Sequence, residues 1–155
     1  MEQRSATAGA GLPAPVIFAG LFVIGLVLNA LLPHVALPRG LRAAGWLLAL
    51  FGFAVIGLPG ILALRRAGTS PNPRRPTTAL VQDGPYRYTR HPLYVSMATI
   101  YAGAALGVNS LWALVLLPAA VALIDRGPMV REERYMEQKF GEAYRTYKAR
   151  VRRWV

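Results

Sequence analysis

The sequence contains no cysteine, which excludes disulfides, thiolate metal sites and cysteine nucleophiles. Histidine is nearly absent as well, at two residues, His34 and His91. Acidic residues are scarce, 7 Asp+Glu against 18 Lys+Arg, for a formal net charge of +11. A soluble nucleic-acid binder carries such a charge, but not with 54% hydrophobic residues and a mean hydropathy of +0.34. The apolar residues are blocked into runs rather than scattered, and this composition points to an integral membrane protein of one domain. No nucleic-acid partner is expected.

Residues 14–32 carry no formal charge, about the ~20 residues needed to cross a ~30 Å hydrocarbon core. Residues 41–64 form a second run, with Gly57 and Pro59 expected to kink it; neighbouring helices tolerate such breaks. Residues 93–108 and 111–124 are shorter and are separated by Asn109-Ser110. They read as a helical hairpin that crosses with some mismatch or is only partly immersed. The fold class is therefore all-α: a helical bundle of about four spans, the last two a hairpin, followed by an amphipathic helix. Residues 1–155 form a single membrane domain, and residues 1–12 a flexible tail rich in small residues. Sixteen of the 18 basic residues precede the first run, lie in the 65–90 loop or follow residue 125; Arg39 and Arg42 lie on the other side. The positive-inside rule then places both termini and the loop in the cytoplasm, and orientation explains most of the arginines.

In the loop, three prolines between Thr69 and Pro76 forbid a regular helix. Residues 77–82 are compatible with an extended stretch, and Asp83-Gly84-Pro85 is a turn signal. Pro92 falls where the third apolar run begins, and proline is favoured at a first helical position. Arg90 and His91 thus stand at a helix N-terminus, whose free N–H groups suit a carboxylate or phosphate. After residue 125, Met129, Glu133, Met136, Phe140, Tyr144, Tyr147, Val151 and Trp154 recur at three- and four-residue spacing, one face of a helix. Gly141 is a candidate break. A basic amphipathic helix after a span lies in the membrane interface. Glu133 is the exception on the apolar stripe, with Glu132 beside it. A carboxylate there needs a partner, either an arginine such as Arg90 or the positive end of a ligand. The hairpin returns the chain to the same surface, so His91 and Glu133 can meet. His34 follows Pro33 in the short loop on the other side. With the two histidines on opposite sides, no metal site is expected.

The segment Gly84-Pro85-Tyr86-Arg87-Tyr88-Thr89-Arg90-His91-Pro92-Leu93-Tyr94, then a hairpin, then Glu132-Glu133 and Phe140-Gly141-Glu142-Ala143-Tyr144-Arg145-Thr146-Tyr147 resembles the isoprenylcysteine carboxyl methyltransferase and phospholipid methyltransferase superfamily. These are small multi-pass membrane enzymes that use S-adenosyl-L-methionine. The resemblance covers residues 70–155. It implies that Thr78, Ala79, Leu80 and Val81 form the cofactor-binding segment and that Tyr86 contacts the cofactor. It also implies that His91, Pro92, Leu93 and Tyr94 hold the cofactor's amino-acid end, with Glu132 and Glu133 as the acidic pair. Three positions depart from the pattern: Ser96 replaces the usual glycine, Thr78 a frequent histidine, and no proline follows Val151. The substrate-contacting arginine of the eukaryotic branch has no clear counterpart; Arg126 and Arg131 are the nearest candidates.

The expected reaction is methyl transfer to a lipophilic acceptor drawn from the bilayer, entering between the second span and the hairpin. The acceptor is an isoprenylcysteine-like carboxylate, a phospholipid amine or a small isoprenoid or thiol. For an amine, Glu133 is the expected base, with Arg90 beside it; for a carboxylate, an arginine orients it. The site is expected where residues 65–91 and 126–155 meet, in contact with membrane lipids, in a multi-pass protein of a prokaryotic plasma membrane. Two other classes suit the same residues: an NADPH-dependent membrane reductase of the sterol-reductase type, and a non-enzymatic membrane scaffold. Ligand preference separates the three.

Overall fold

The computed structural model describes residues 11–72 and 75–155. Residues 1–10, most of the expected flexible tail, and Arg4 and Arg74 of the charge distribution lie outside the described residues. Among the described residues every regular element is a helix. Helix α1 is Ala14–Leu31, with proline in its first turn. Helix α2, Arg39–Phe51, runs through a π-turn at Gly52–Gly57 into α3, Leu58–Arg66, whose first turn again holds a proline. The kink expected near Gly57 and Pro59 is thus a change of helical pitch and not a break in the chain. A single 3-10 turn, Gly84–Arg87, precedes α4, Pro92–Gly107. Helix α5 is Leu111–Arg126 and α6 is Pro128–Arg150.

Among the described residues, three helical stretches are long and apolar enough to cross a membrane: Ala14–Leu31, Arg39–Arg66, and Leu111–Arg150, the last counted through α5 into α6. Helix α4 has only 16 residues, but α1, α2, the π-turn and α5 all pack on it. None of its residues is exposed. It is the central helix of the bundle.

Small residues allow this packing. A methyl group on Gly103 would overlap the backbone of Ala49 and Gly45, so only glycine lets α4 and α2 approach this closely. On the other flank, Gly25 of α1 lies directly on Ala113 of α5. Phe18 and Phe22 of α1 close the core against Tyr101, with ring centroids 5.9 and 5.0 Å apart. Ser96 stands where glycine was the family's habit. Its hydroxyl donates to the Gly52 carbonyl at 2.8 Å, satisfying a backbone group at the start of the π-turn.

At the far end of the bundle, Asn109 joins the hairpin in a left-handed conformation, φ 60°. It accepts from Leu37 N at 2.7 Å and from Asn29 Nδ2 at 3.2 Å, tying the α4–α5 turn to the α1–α2 loop and to the last turn of α1. At the near end, α6 folds back across the bundle and bends at Gly141, φ 52° and ψ −123°. Met129, Glu133, Tyr144 and Tyr147 of the expected stripe are buried. Tyr135, which the stripe omits, is buried too, and its hydroxyl accepts from Thr77 N at 3.1 Å.

Candidate functional site

A cavity of about 130 Å³ opens at the α6 end of the bundle, between the 69–91 loop, the first turns of α4 and the inner face of α6. Residues 65–91 and 126–155 therefore do come together. The loop is shaped by local bonds: Thr69 Oγ1 accepts from Thr78 N at 2.6 Å and from Ala79 N at 3.3 Å, and Thr78 Oγ1 donates to Gly68 O at 2.9 Å. Thr78 is thereby engaged in folding the loop and does not line the cavity. Residues 77–82 have no regular strand partner. Ala79, Leu80 and Val81 supply an apolar wall. Tyr86 is placed by the 3-10 turn, and its carbonyl accepts the Tyr147 hydroxyl at 2.7 Å.

The polar wall belongs to α4 and α6. The helix begins at Pro92, as its sequence suggests, and His91 occupies the capping position without a side-chain cap. Arg90, His91, Pro92, Leu93 and Tyr94 all line the cavity. The His91 ring stacks on Tyr94, with centroids 5.3 Å apart. His91 Nε2 lies 3.3 Å from Glu133 Oε1, and Nδ1 lies 3.7 Å from Glu132 Oε2. The Tyr94 hydroxyl donates to Glu132 Oε2 at 2.8 Å.

The two glutamates have different surroundings. Glu132 lines the cavity with its side chain 35% exposed; Glu133 faces away from the cavity and is 4% exposed. Arg153 grips Glu133 with Nε on Oε1 at 2.9 Å and Nη2 on Oε2 at 2.7 Å. Arg90 Nη1 adds a contact at 3.1 Å. Burial by itself would raise the Glu133 carboxyl. Hydrogen bonds from His91 and Arg153 and the Arg90 charge outweigh it and lower the group to about 2. The expected base, Glu133, is therefore a buried carboxylate held in its charged form by Arg153, Arg90 and His91, while Glu132 is the carboxylate that borders the cavity. Arg90, expected as its catalytic companion, is an ion-pair partner that also borders the cavity. Its Nε finds no hydrogen-bond acceptor among the described residues.

The two candidate substrate arginines lie outside the cavity. Arg126 is exposed at the end of α5, and Arg131 donates to Leu12 O at 3.2 Å; neither lines the cavity. Sequence reasoning missed Arg153, which reads as one more orienting arginine, and Thr69 and Tyr135, whose roles depend on loop geometry. Burial raises the Tyr86 phenol, and it raises Tyr144 to about 12. Both rings therefore face the cavity as neutral aromatics.

The lining extends from Pro15 of α1 to Leu64 of α3, across Leu93 and Met97 of α4. Between the second span and the hairpin, where the acceptor is expected to enter, Gly45, Gly52 and Gly57 pack closely on α4.

The family model for phospholipid methyltransferases matches residues 41–143. A Haemophilus influenzae protein, described as uncharacterized, is 35% identical over 63 residues, 41% of this chain and 100% of that protein.

Proposed function

Because the chain belongs to the phospholipid methyltransferase family, and is by that membership a membrane methyltransferase, we propose that it moves a methyl group from S-adenosyl-L-methionine to a lipophilic acceptor at the cytoplasmic membrane face. One observation carries this reading. The cavity joins an accessible carboxylate, Glu132, to a buried cationic corner made by Arg90 and the N-terminus of α4, beside an apolar wall. An amino-acid zwitterion attached to a nucleoside presents this set of groups in reverse. When bound, the cofactor supplies an electrophilic methyl on a sulfonium.

The residues have separate tasks. Glu132, fixed by the Tyr94 hydroxyl, receives the ammonium. The α4 N-terminus and Arg90 receive the carboxylate. Ala79, Leu80 and Val81 cover the flat apolar part. Tyr86, Tyr94 and Tyr144 present neutral aromatic faces, which favour a cation. In-line transfer needs little else than positioning and a dry site. The acceptor reaches the cavity from the bilayer between α1 and α3, over Leu93 and Met97.

Calorimetry in detergent tests the reading. S-adenosylhomocysteine should bind, and Glu132→Ala should weaken it at least tenfold, about 1.4 kcal/mol, with folding unchanged. Binding of NADPH in its place, or of neither ligand, would overturn the proposal.

A further inference from the structure

The chain after α6 turns back and straps the entrance to α4. Arg90 N donates to Arg152 O at 2.9 Å, and Thr89 Oγ1 donates to Arg153 O at 2.8 Å. This fixes the Arg153 backbone next to the residues that begin the polar wall. The Arg153 guanidinium then spans two helices. Two of its nitrogens hold Glu133 of α6, and Nη1 donates to Asp125 Oδ1 of α5 at 3.2 Å. Asp125 is itself fixed by Trp154 Nε1 at 2.9 Å. Glu133 passes the constraint on, because the oxygen that accepts Arg153 Nε also faces His91 Nε2 and Arg90 Nη1.

We propose that Arg153 is a positioning residue for the cavity: through Glu133 it sets the orientation of His91 and Arg90 without touching the ligand. The planar fork of arginine matches the two oxygens of Glu133, and a point charge would not. With Arg153 in place, Glu133 accepts from His91 Nε2, and the ring's other nitrogen faces Glu132. A metal-free imidazole oriented by a carboxylate in this way has its tautomer chosen by that bond. Without Arg153, Oε2 of Glu133 keeps only the looser contact of Lys148 Nζ at 4.0 Å, and Arg90 can rotate toward it, leaving the cavity wall.

The consequence for binding rests on the methyl-transfer reading above, but the orientation itself does not, and two measurements separate them. Only two histidines are present, and His34 lies in the loop at the other end, where its Nδ1 is 3.4 Å from Leu32 O. It serves as an internal reference for imidazole nitrogen NMR. In the ligand-free protein, Arg153→Ala should move the His91 ring-nitrogen signals and leave those of His34 in place. Arg153→Lys should restore them only in part. Arg145→Ala, which removes an exposed arginine paired with Glu137, should move neither. Unchanged His91 signals in a folded Arg153→Ala protein would overturn the proposal whatever the cofactor is. The second measurement is a double-mutant cycle on S-adenosylhomocysteine affinity. Arg153→Ala and His91→Ala should each weaken binding about tenfold, and the double variant should lose little more than either alone. Fully additive losses would mean that Arg153 acts by another route and would sink the proposal. Turnover should respond through KM for the cofactor, with kcat within about threefold of the wild type.

Discussion

A rotation of about 100° along α6 separates Glu132 from Glu133, and that rotation divides the carboxylate that borders the cavity from the one that is enclosed. Glu132 is open to the cavity and lightly held by Tyr94; Glu133 is enclosed by Arg153, Arg90 and His91. The enclosure has a pH signature. Glu133 is lowered from 4.5 to about 2, so its contribution to stability is complete above about 4.5. As pH falls, the unfolded chain takes the proton first, and the contribution is lost between about 4.5 and about 2. Thermal unfolding in detergent should show the wild type losing on the order of 3 kcal/mol more than Glu133→Gln across that window; parallel curves would detach the effect from this group. Spacing made the Arg90–His91 and Glu132–Glu133 pairs legible, because a hairpin of known length returns the chain to one surface. It did not tell which glutamate faces the cavity. A single residue of rotation decides that, and docking of α6 sets the rotation. Arg153 was hidden for a related reason: it reaches Glu133 only because the chain folds back after α6, and nothing in the periodicity anticipates that return.

At the scale of elements, α6 depends on one backbone position. Gly141 has φ 52° and ψ −123°, a conformation open almost only to glycine. The bend lets Glu132 and Met136 line the cavity from before it while Tyr144 and Tyr147, beyond it, still reach Tyr86 and the cavity. Gly141→Ala should favour a straight helix and lift Tyr147 from the Tyr86 carbonyl. The expected result is a loss of about 1–3 kcal/mol of stability with a weaker affinity for S-adenosylhomocysteine; an unchanged melting temperature and affinity would show that the bend is dispensable. Helix starts were well marked in the sequence: prolines stand in the first turn of α1, α3, α4 and α6. The π-turn at Gly52–Gly57 was not, since hydropathy reports an apolar run without its pitch. The α2–α4 contact through Gly45 and Gly103 was also unread, because glycines in an apolar run look like dilution until their partner helix is known.

For the whole molecule, the positive-inside rule applied to the arginines predicts one orientation, with the α6 end in the cytoplasm. The absence of cysteine makes that orientation simple to check. Single variants Arg87→Cys, near the cavity, and His34→Cys, in the opposite loop, are both at exposed positions. In intact cells, a membrane-impermeant thiol reagent should modify His34→Cys at once and Arg87→Cys only after lysis. The reverse pattern would invert the topology.

The enclosure of α4 has a further meaning for the surrounding lipid. At ~1.5 Å per residue, its 16 residues span about 24 Å, short of a ~30 Å hydrocarbon core. Its neighbours keep it from the acyl chains, so bilayer thickness is felt by the outer helices instead. The 28 residues of Arg39–Arg66 span about 42 Å and must lean to fit, with the π-turn as the place to yield. Thicker or thinner host lipid therefore changes the lean of α3 and the separation of Leu64 from Pro15, while the polar wall, carried by α4 and α6, keeps its shape. Reconstitution in vesicles of increasing acyl length should shift KM for the acceptor severalfold and leave cofactor affinity constant, making membrane thickness a control on which acceptors are admitted.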